Sequence, residues 1–257
     1  MPTFHTADGA ELTYVDLGPR GSIPLLFVHG WLGATASWTL VMEPLARRHR
    51  TIGIDLRGFG ESNAAPGPYR VETYADDLSA LVASLDLDPL VVIGHSMGAA
   101  VAQRFAIDRP DAVEGLVLVA PVPASGMPFP PHLVEMFRSI PGDPARAAAW
   151  LGTLTHDEPS REIRTIMRAA AAAADTDAAL ENFESWRTLD FADEAATIAT
   201  PTLVLAASGD RPEFARAKVA DVIDGSRFQI VDAAGHYVPL ERPDRVAQAI
   251  EDFVESL

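Results

Sequence analysis

The apolar run Leu90-Val91-Val92-Ile93 leads straight into Gly94-His95-Ser96-Met97-Gly98, and a helical pattern, Met97 to Ile107, follows without a loop. A strand that reverses into a helix within five residues leaves little freedom of fold. The serine of a G-x-S-x-G turn in that setting stands on a sharp, strained corner above the edge of a sheet. Glycine is needed at both flanks, because a side chain there would strike the neighbouring strand or helix. The amide of Met97 is then left open at a helix N-terminus, facing any negative charge that develops beside Ser96.

The rest of the chain repeats this rhythm. Candidate strands are Glu11–Asp16, Leu25–Val28, Thr51–Ile54, Leu90–Ile93, Gly115–Val119, Thr202–Ala206 and Phe228–Val231. The middle ones are continuous apolar runs, as parallel strands buried on both faces must be. Helical patterns lie between and after them at Trp38–Arg47, Val71–Leu85, Met97–Ile107 and Pro239–Leu257. Alternating β and α elements predict an α/β fold, a mostly parallel sheet with helices on both faces. The rhythm breaks from Pro121 to Ile198. This stretch opens with a proline-rich segment, Pro121-Val122-Pro123 through Pro128-Phe129-Pro130-Pro131, and turns helical around the run Ala169–Ala174. The expected organisation is a core of residues 1–120 and 199–257 with a helical insertion, 121–198, over the carboxyl edge of the sheet. No internal repeat is present.

Composition narrows the function classes. The chain has 257 residues, 48% of them apolar, enough for one large domain with a full core or a core plus a small insertion. No apolar run is long enough to span a bilayer. The first residues, Met1-Pro2-Thr3-Phe4-His5, lack the basic start and apolar stretch of a signal peptide, so a cytoplasmic location is expected. Zero cysteines exclude disulfides, thiol nucleophiles and zinc–thiolate sites. A net charge of −16 disfavours nucleic acid and anionic membranes as partners. The expected partner is a small molecule, and the expected assembly a monomer or homodimer. Lys218 is the single lysine; together with the abundant alanine this reads as compositional bias.

A serine hydroxyl is a poor nucleophile until a base takes its proton. His236, in Ala233-Ala234-Gly235-His236-Tyr237, falls between the last strand and the last helix, at the same sheet edge as Ser96. The base needs an acid to hold its tautomer. Asp210, in Ser208-Gly209-Asp210-Arg211-Pro212, follows the Thr202–Ala206 strand, while the preceding strand ends Val119-Ala120-Pro121-Val122 with no carboxylate. Asp232 and Asp224 are the fallbacks, Asp232 lying close to its own strand. The chain order Ser, Asp, His follows. The backbone amides of Trp31, in His29-Gly30-Trp31-Leu32-Gly33, and Met97 are the candidate oxyanion donors. Gly30, His95, Met127, Phe129, Trp150, Trp186 and Tyr237 are candidate pocket residues, with Met136 and Phe137 beside them. His95 reads as structural or pocket-lining; His29, Asp55 and Arg57 read as loop-stabilising.

With His29-Gly30-Trp31, Asp55-Leu56-Arg57-Gly58-Phe59-Gly60-Glu61-Ser62, Gly94-His95-Ser96-Met97-Gly98, Gly209-Asp210 and Gly235-His236 in place, the chain resembles the serine-type α/β-hydrolases, near the small esterase, lactonase and C–C hydrolase branch. The resemblance spans Val28 to about Pro243. It implies a helical lid over 121–198, no metal or organic cofactor, and hydrolysis of a carboxylic ester or lactone through an acyl-enzyme. Hydrolysis of a C–C bond in a vinylogous diketone uses the same three residues and stays open, as does perhydrolysis. A small-molecule receptor with a slow triad is the reading from a different class. Dehalogenase and epoxide hydrolase are disfavoured, because those branches carry aspartate where Ser96 stands.

Overall fold

The computed structural model describes all residues, 1–257. Eight strands, β1 (Thr3–His5), β2 (Glu11–Leu17), β3 (Leu25–Val28), β4 (Thr51–Ile54), β5 (Leu90–His95), β6 (Val113–Val119), β7 (Thr202–Ala207) and β8 (Arg227–Val231), form one sheet in the order β1-β2-β4-β3-β5-β6-β7-β8. From β4 to β8 every pairing is parallel; β2 pairs antiparallel with β4 and with β1. β3, β4 and β5 are buried at every position, which explains their unbroken apolar runs.

Successive side chains on a strand point to opposite faces, so each run supplies two cores. Leu25, Phe27, Val91 and Ile93 pack with Trp38, with Met42 of α1 (Thr39–Leu45), and with Ile250 and Phe253 of the last helix. Leu26, Val28, Leu90 and Val92 pack with α2 (Val71–Leu85) and α3 (Met97–Asp108). On α2 the buried residues Val71, Tyr74, Ala75, Leu78, Leu81 and Val82 form a stripe at three- and four-residue spacing, and Asp86 ends the helix in the left-handed region at φ 51°. On α3 Ala99, Ala100, Ala102 and Ala106 are all buried, small side chains suited to close approach to the sheet.

Between β6 and β7 lie α4 (Pro131–Arg138), α5 (Pro144–Gly152), α6 (Arg161–Ala173), α7 (Thr176–Arg187) and α8 (Ala192–Ala195). Asp143, Ser160 and Asp175 accept hydrogen bonds from the first-turn amides of α5, α6 and α7. After β7 come α9 (Pro212–Ala215), then α10 (Val238–Glu241) and α11 (Pro243–Val254) beyond β8.

Two sequence expectations are corrected, and β1 adds a strand to those expected; only Phe4 of its three residues is buried. Helix α1 starts at Thr39, because Trp38 belongs to a 3₁₀ turn, Thr35–Trp38. The single helix expected over Pro239–Leu257 is two, broken at Arg242 (φ −138°, ψ 54°), since the ring of Pro243 disfavours helical geometry in the residue before it. No helix is long and apolar enough to cross a membrane.

Candidate active site

β5 ends at His95, and Ser96 takes φ 55°, ψ −119°, a conformation that an L-residue adopts only under strain. The packing enforces it. A Cβ on Gly94 would sit 2.3 Å from the carbonyl oxygen of Gly98, and one on Gly98 would sit 2.5 Å from the carbonyl oxygens of Val28 and His29. A Cβ on Gly30 would lie 3.1 Å from the Ser96 Cβ, so the loop after β3 runs directly beside the serine.

The structure brings Ser96, His236 and Asp210 together from three separate loops. The Ser96 hydroxyl donates to His236 Nε2 at 2.8 Å, and His236 Nδ1–H donates to Asp210 Oδ2 at 2.5 Å. Burial works against charge on Asp210, but the His236 imidazole and its hydrogen bond outweigh it and hold the carboxyl below its ordinary value. Asp210 is therefore an anion at neutral pH, the state in which it can fix the Nδ1–H tautomer and stabilise an imidazolium. Neither fallback, Asp232 nor Asp224, bonds to the histidine.

Around this chain the buried polar residues brace loops. His29 Nδ1–H donates to the carbonyl of Gly30 at 2.8 Å, and its Nε2 accepts the amide of Leu56 at 3.1 Å. Burial lowers its basicity, so it stays neutral. Asp55 accepts the amides of Thr35 (2.6 Å) and Glu61 (2.9 Å). Arg57, 1% exposed, is gripped by Asp77 at 2.6 and 2.7 Å and by Asp8 at 2.9 Å. His95 donates from Nε2 to the carbonyl oxygen of His236 at 2.8 Å. Burial, and then the nearby His236, push its pKa down to about 3. The amides of Trp31 and Met97 donate to no acceptor in the chain. Met97 follows Ser96 directly, and Trp31 follows Gly30, whose backbone runs beside the serine.

These groups open into a cavity of about 280 Å³. Gly30, Trp31, His95, Met127, Phe129, Trp150, Trp186 and Tyr237 line it with Ser96, Asp210 and His236, as do Met136 and Phe137. Its wall is aromatic: the Trp31 ring lies 5.6 Å from Phe137, 5.7 Å from Trp150 and 6.2 Å from Trp186, with Phe183 packed behind at 5.7 Å. The Trp31 indole N–H donates to the carbonyl of Ala179, tying the loop after β3 to α7. The sequence reading missed Val122, Leu133, Leu154 and Arg211 in the lining. Leu133 precedes Phe137 by one helical turn, a signal in the sequence; Leu154 carries none. Arg211, next to Asp210, is the only Lys or Arg in the lining.

Residues 23–158 match the family model described as alpha/beta hydrolase fold. The chain is 39% identical over 125 residues to a non-heme chloroperoxidase of Streptomyces lividans, a match covering 48% of this chain and 45% of that protein. It is 29% identical over 269 residues to a putative non-heme chloroperoxidase of Synechocystis, covering 95% of each. Among solved structures, a thermophilic esterase from Thermogutta terrifontis with malate bound superposes with a TM-score of 0.85 at 30% identity, covering 99% of this chain and 96% of that one.

Proposed function

The chain belongs to the α/β-hydrolase fold family, and from that premise we propose that it is a serine hydrolase cleaving a small carboxylic ester or lactone through an acyl-enzyme. The observation that carries this reading is the unbroken hydrogen-bonded line Asp210–His236–Ser96, at 2.5 and 2.8 Å, opening on an apolar cavity. Ser96 Oγ attacks the carbonyl as His236 Nε2 accepts its proton, and Asp210 stabilises the imidazolium. The amides of Trp31 and Met97 bind the tetrahedral oxyanion. His236 returns the proton to the leaving alcohol, then activates the water that releases the acid and regenerates Ser96.

The cavity restricts the substrate. At about 280 Å³ it lies just below the usual ligand-pocket range of roughly 300–1,000 Å³, so a compact acyl group fits better than a long chain. The aromatic wall favours a flat or branched apolar group. Residues 121–198 serve as a cap on a core of 1–120 and 199–257, since α4, α5 and α7 supply Phe137, Trp150 and Trp186 to the cavity.

The chloroperoxidase names of two relatives favour a second outcome for the same acyl-enzyme: hydrogen peroxide replaces water and leaves as a peracid, Ser96 regaining its proton. Hydrolysis of a p-nitrophenyl ester series, acetate to decanoate, by wild type beside S96A tests the first reading. Turnover peaking at short acyl length and absent in S96A is the expected result. No turnover in wild type on any ester sinks the ester reading and turns attention to the C–C substrates. Repeating the assay with hydrogen peroxide and a peracid-specific halide oxidation tests the second.

A further inference from the structure

The main chain of His236 is held from both sides. Its carbonyl accepts the His95 hydrogen bond, and its amide donates to the carbonyl of Leu154 at 2.7 Å. Leu154 lies just past α5, in the inserted segment, and itself lines the cavity. Nothing in the triad requires residues 154–156 to touch the histidine turn, yet the two backbones are in contact. A Cβ on Gly235 would sit 2.4 Å from the Leu154 carbonyl oxygen and 2.6 Å from the His156 amide nitrogen.

One side chain bridges the pair. Glu241, on α10, accepts the His156 amide at Oε2 (2.7 Å) and the Gly235 amide at Oε1 and Oε2 (3.1 and 3.2 Å). Its carboxylate thus bonds to one amide in the inserted segment and one in the turn immediately before His236. Charge-assisted acceptors of this kind make stronger bonds than neutral ones. The nearby Arg242–Asp157 pair, at 3.2 Å, is exposed and adds little.

We infer that Glu241 is a positioning residue: it clasps the segment Leu154–His156 to the Gly235-His236 turn, so that the His236 imidazole reaches its place between Ser96 and Asp210 only while the inserted helices are seated. This rests on the reading of His236 as the base. Substrate packing against Trp150 and Leu154 presses on the same segment that holds the base, which couples filling of the cavity to alignment of the triad.

Three variants and a readout independent of turnover test it. E241A removes the acceptor; E241Q keeps an oxygen at the Oε2 position for the His156 amide but sets an NH₂ donor against the Gly235 amide; G235A drives the two backbones apart without removing a polar group. The far-downfield proton NMR signal of His236 Nδ1–H reports alignment with Asp210. The expected result is a sharp signal in wild type, a weaker one in E241Q, and a broadened or lost one in E241A and G235A. In these two, kcat falls by up to about 10²-fold, the scale of an ångström-sized misplacement, while KM on a short-chain ester holds. An E241A protein with the wild-type signal and kcat overturns the clasp alone. A wild type with no downfield signal and no labelling of Ser96 by a phosphonate overturns the base assignment, and the proposal with it.

Discussion

The sheet edge and the inserted helices meet at one cavity but are built on different physics. At the sheet edge, position is set by main chain: a strained serine, two glycines with no room for a Cβ, and buried histidines whose ring nitrogens bond to carbonyls and amides. In the inserted segment, position is set by side-chain packing: Phe137 stacks on Phe183 at 5.0 Å, and both lean on Trp31 and Trp186. Backbone strain and hydrogen bonds fix atoms to fractions of an ångström, whereas aromatic packing tolerates exchange of one ring for another. The first region therefore suits bond chemistry and the second suits choice of substrate. Changes at the edge should cost rate, and changes among the helices should move preference.

S96A breaks the comparison most severely. Loss of the nucleophile is expected to lower kcat by about 10⁶-fold with the fold intact, checked by ester turnover beside thermal unfolding. D210N comes next, at about 10⁴-fold, because an amide no longer enforces the Nδ1–H tautomer; an unchanged kcat would strike Asp210 from the triad. W150A probes the other region. Removal of one ring from the wall is worth about 0.5–1.5 kcal/mol of contact, so KM for the best short ester should rise by up to about tenfold while the optimum moves to longer acyl chains. A fall in kcat with an unmoved chain-length optimum would contradict the division of labour.

The remaining effect falls on stability rather than on rate, and is read against pH. His95 keeps a pKa of about 3 when folded, against an ordinary value near 6.5, so the unfolded chain takes up a proton that the native protein refuses between those values. Its contribution is complete above pH 6.5 and is lost as pH falls toward 3, with a slope of up to about 1.4 kcal/mol per pH unit. Asp77 pulls the other way, its carboxyl raised to about 6 by burial, which outweighs the Arg57 bonds. The difference between wild type and H95Q isolates the histidine, since Asp77 cancels. Denaturant titrations across pH 4 to 7 should show H95Q losing stability less steeply on acidification.

Most of the sheet edge was legible in the sequence because its constraints are local. Gly94-His95-Ser96-Met97-Gly98 states its own turn, and Asp210 and His236 each follow a readable strand. The three-residue β1 was missed because one buried phenylalanine makes no alternation, and the break before Pro243 was there to be read in that proline. The inserted segment was legible only as helix. Which of its faces meets Ser96 depends on contacts such as Trp31 Nε1 with Ala179, 148 residues away, and no local pattern encodes them. Glu241 escaped for the same reason: its partner amide at His156 is 85 residues distant.

The distance of 140 residues between Ser96 and His236 has a consequence in time. At roughly 5–20 residues per second, a ribosome takes about 7–28 s to travel from one codon to the other. Through that interval the nascent chain carries its serine with no base to arm it. On the proposed reading, the chain is thus chemically silent until His236 has been made and the turn that carries it has folded against Ser96.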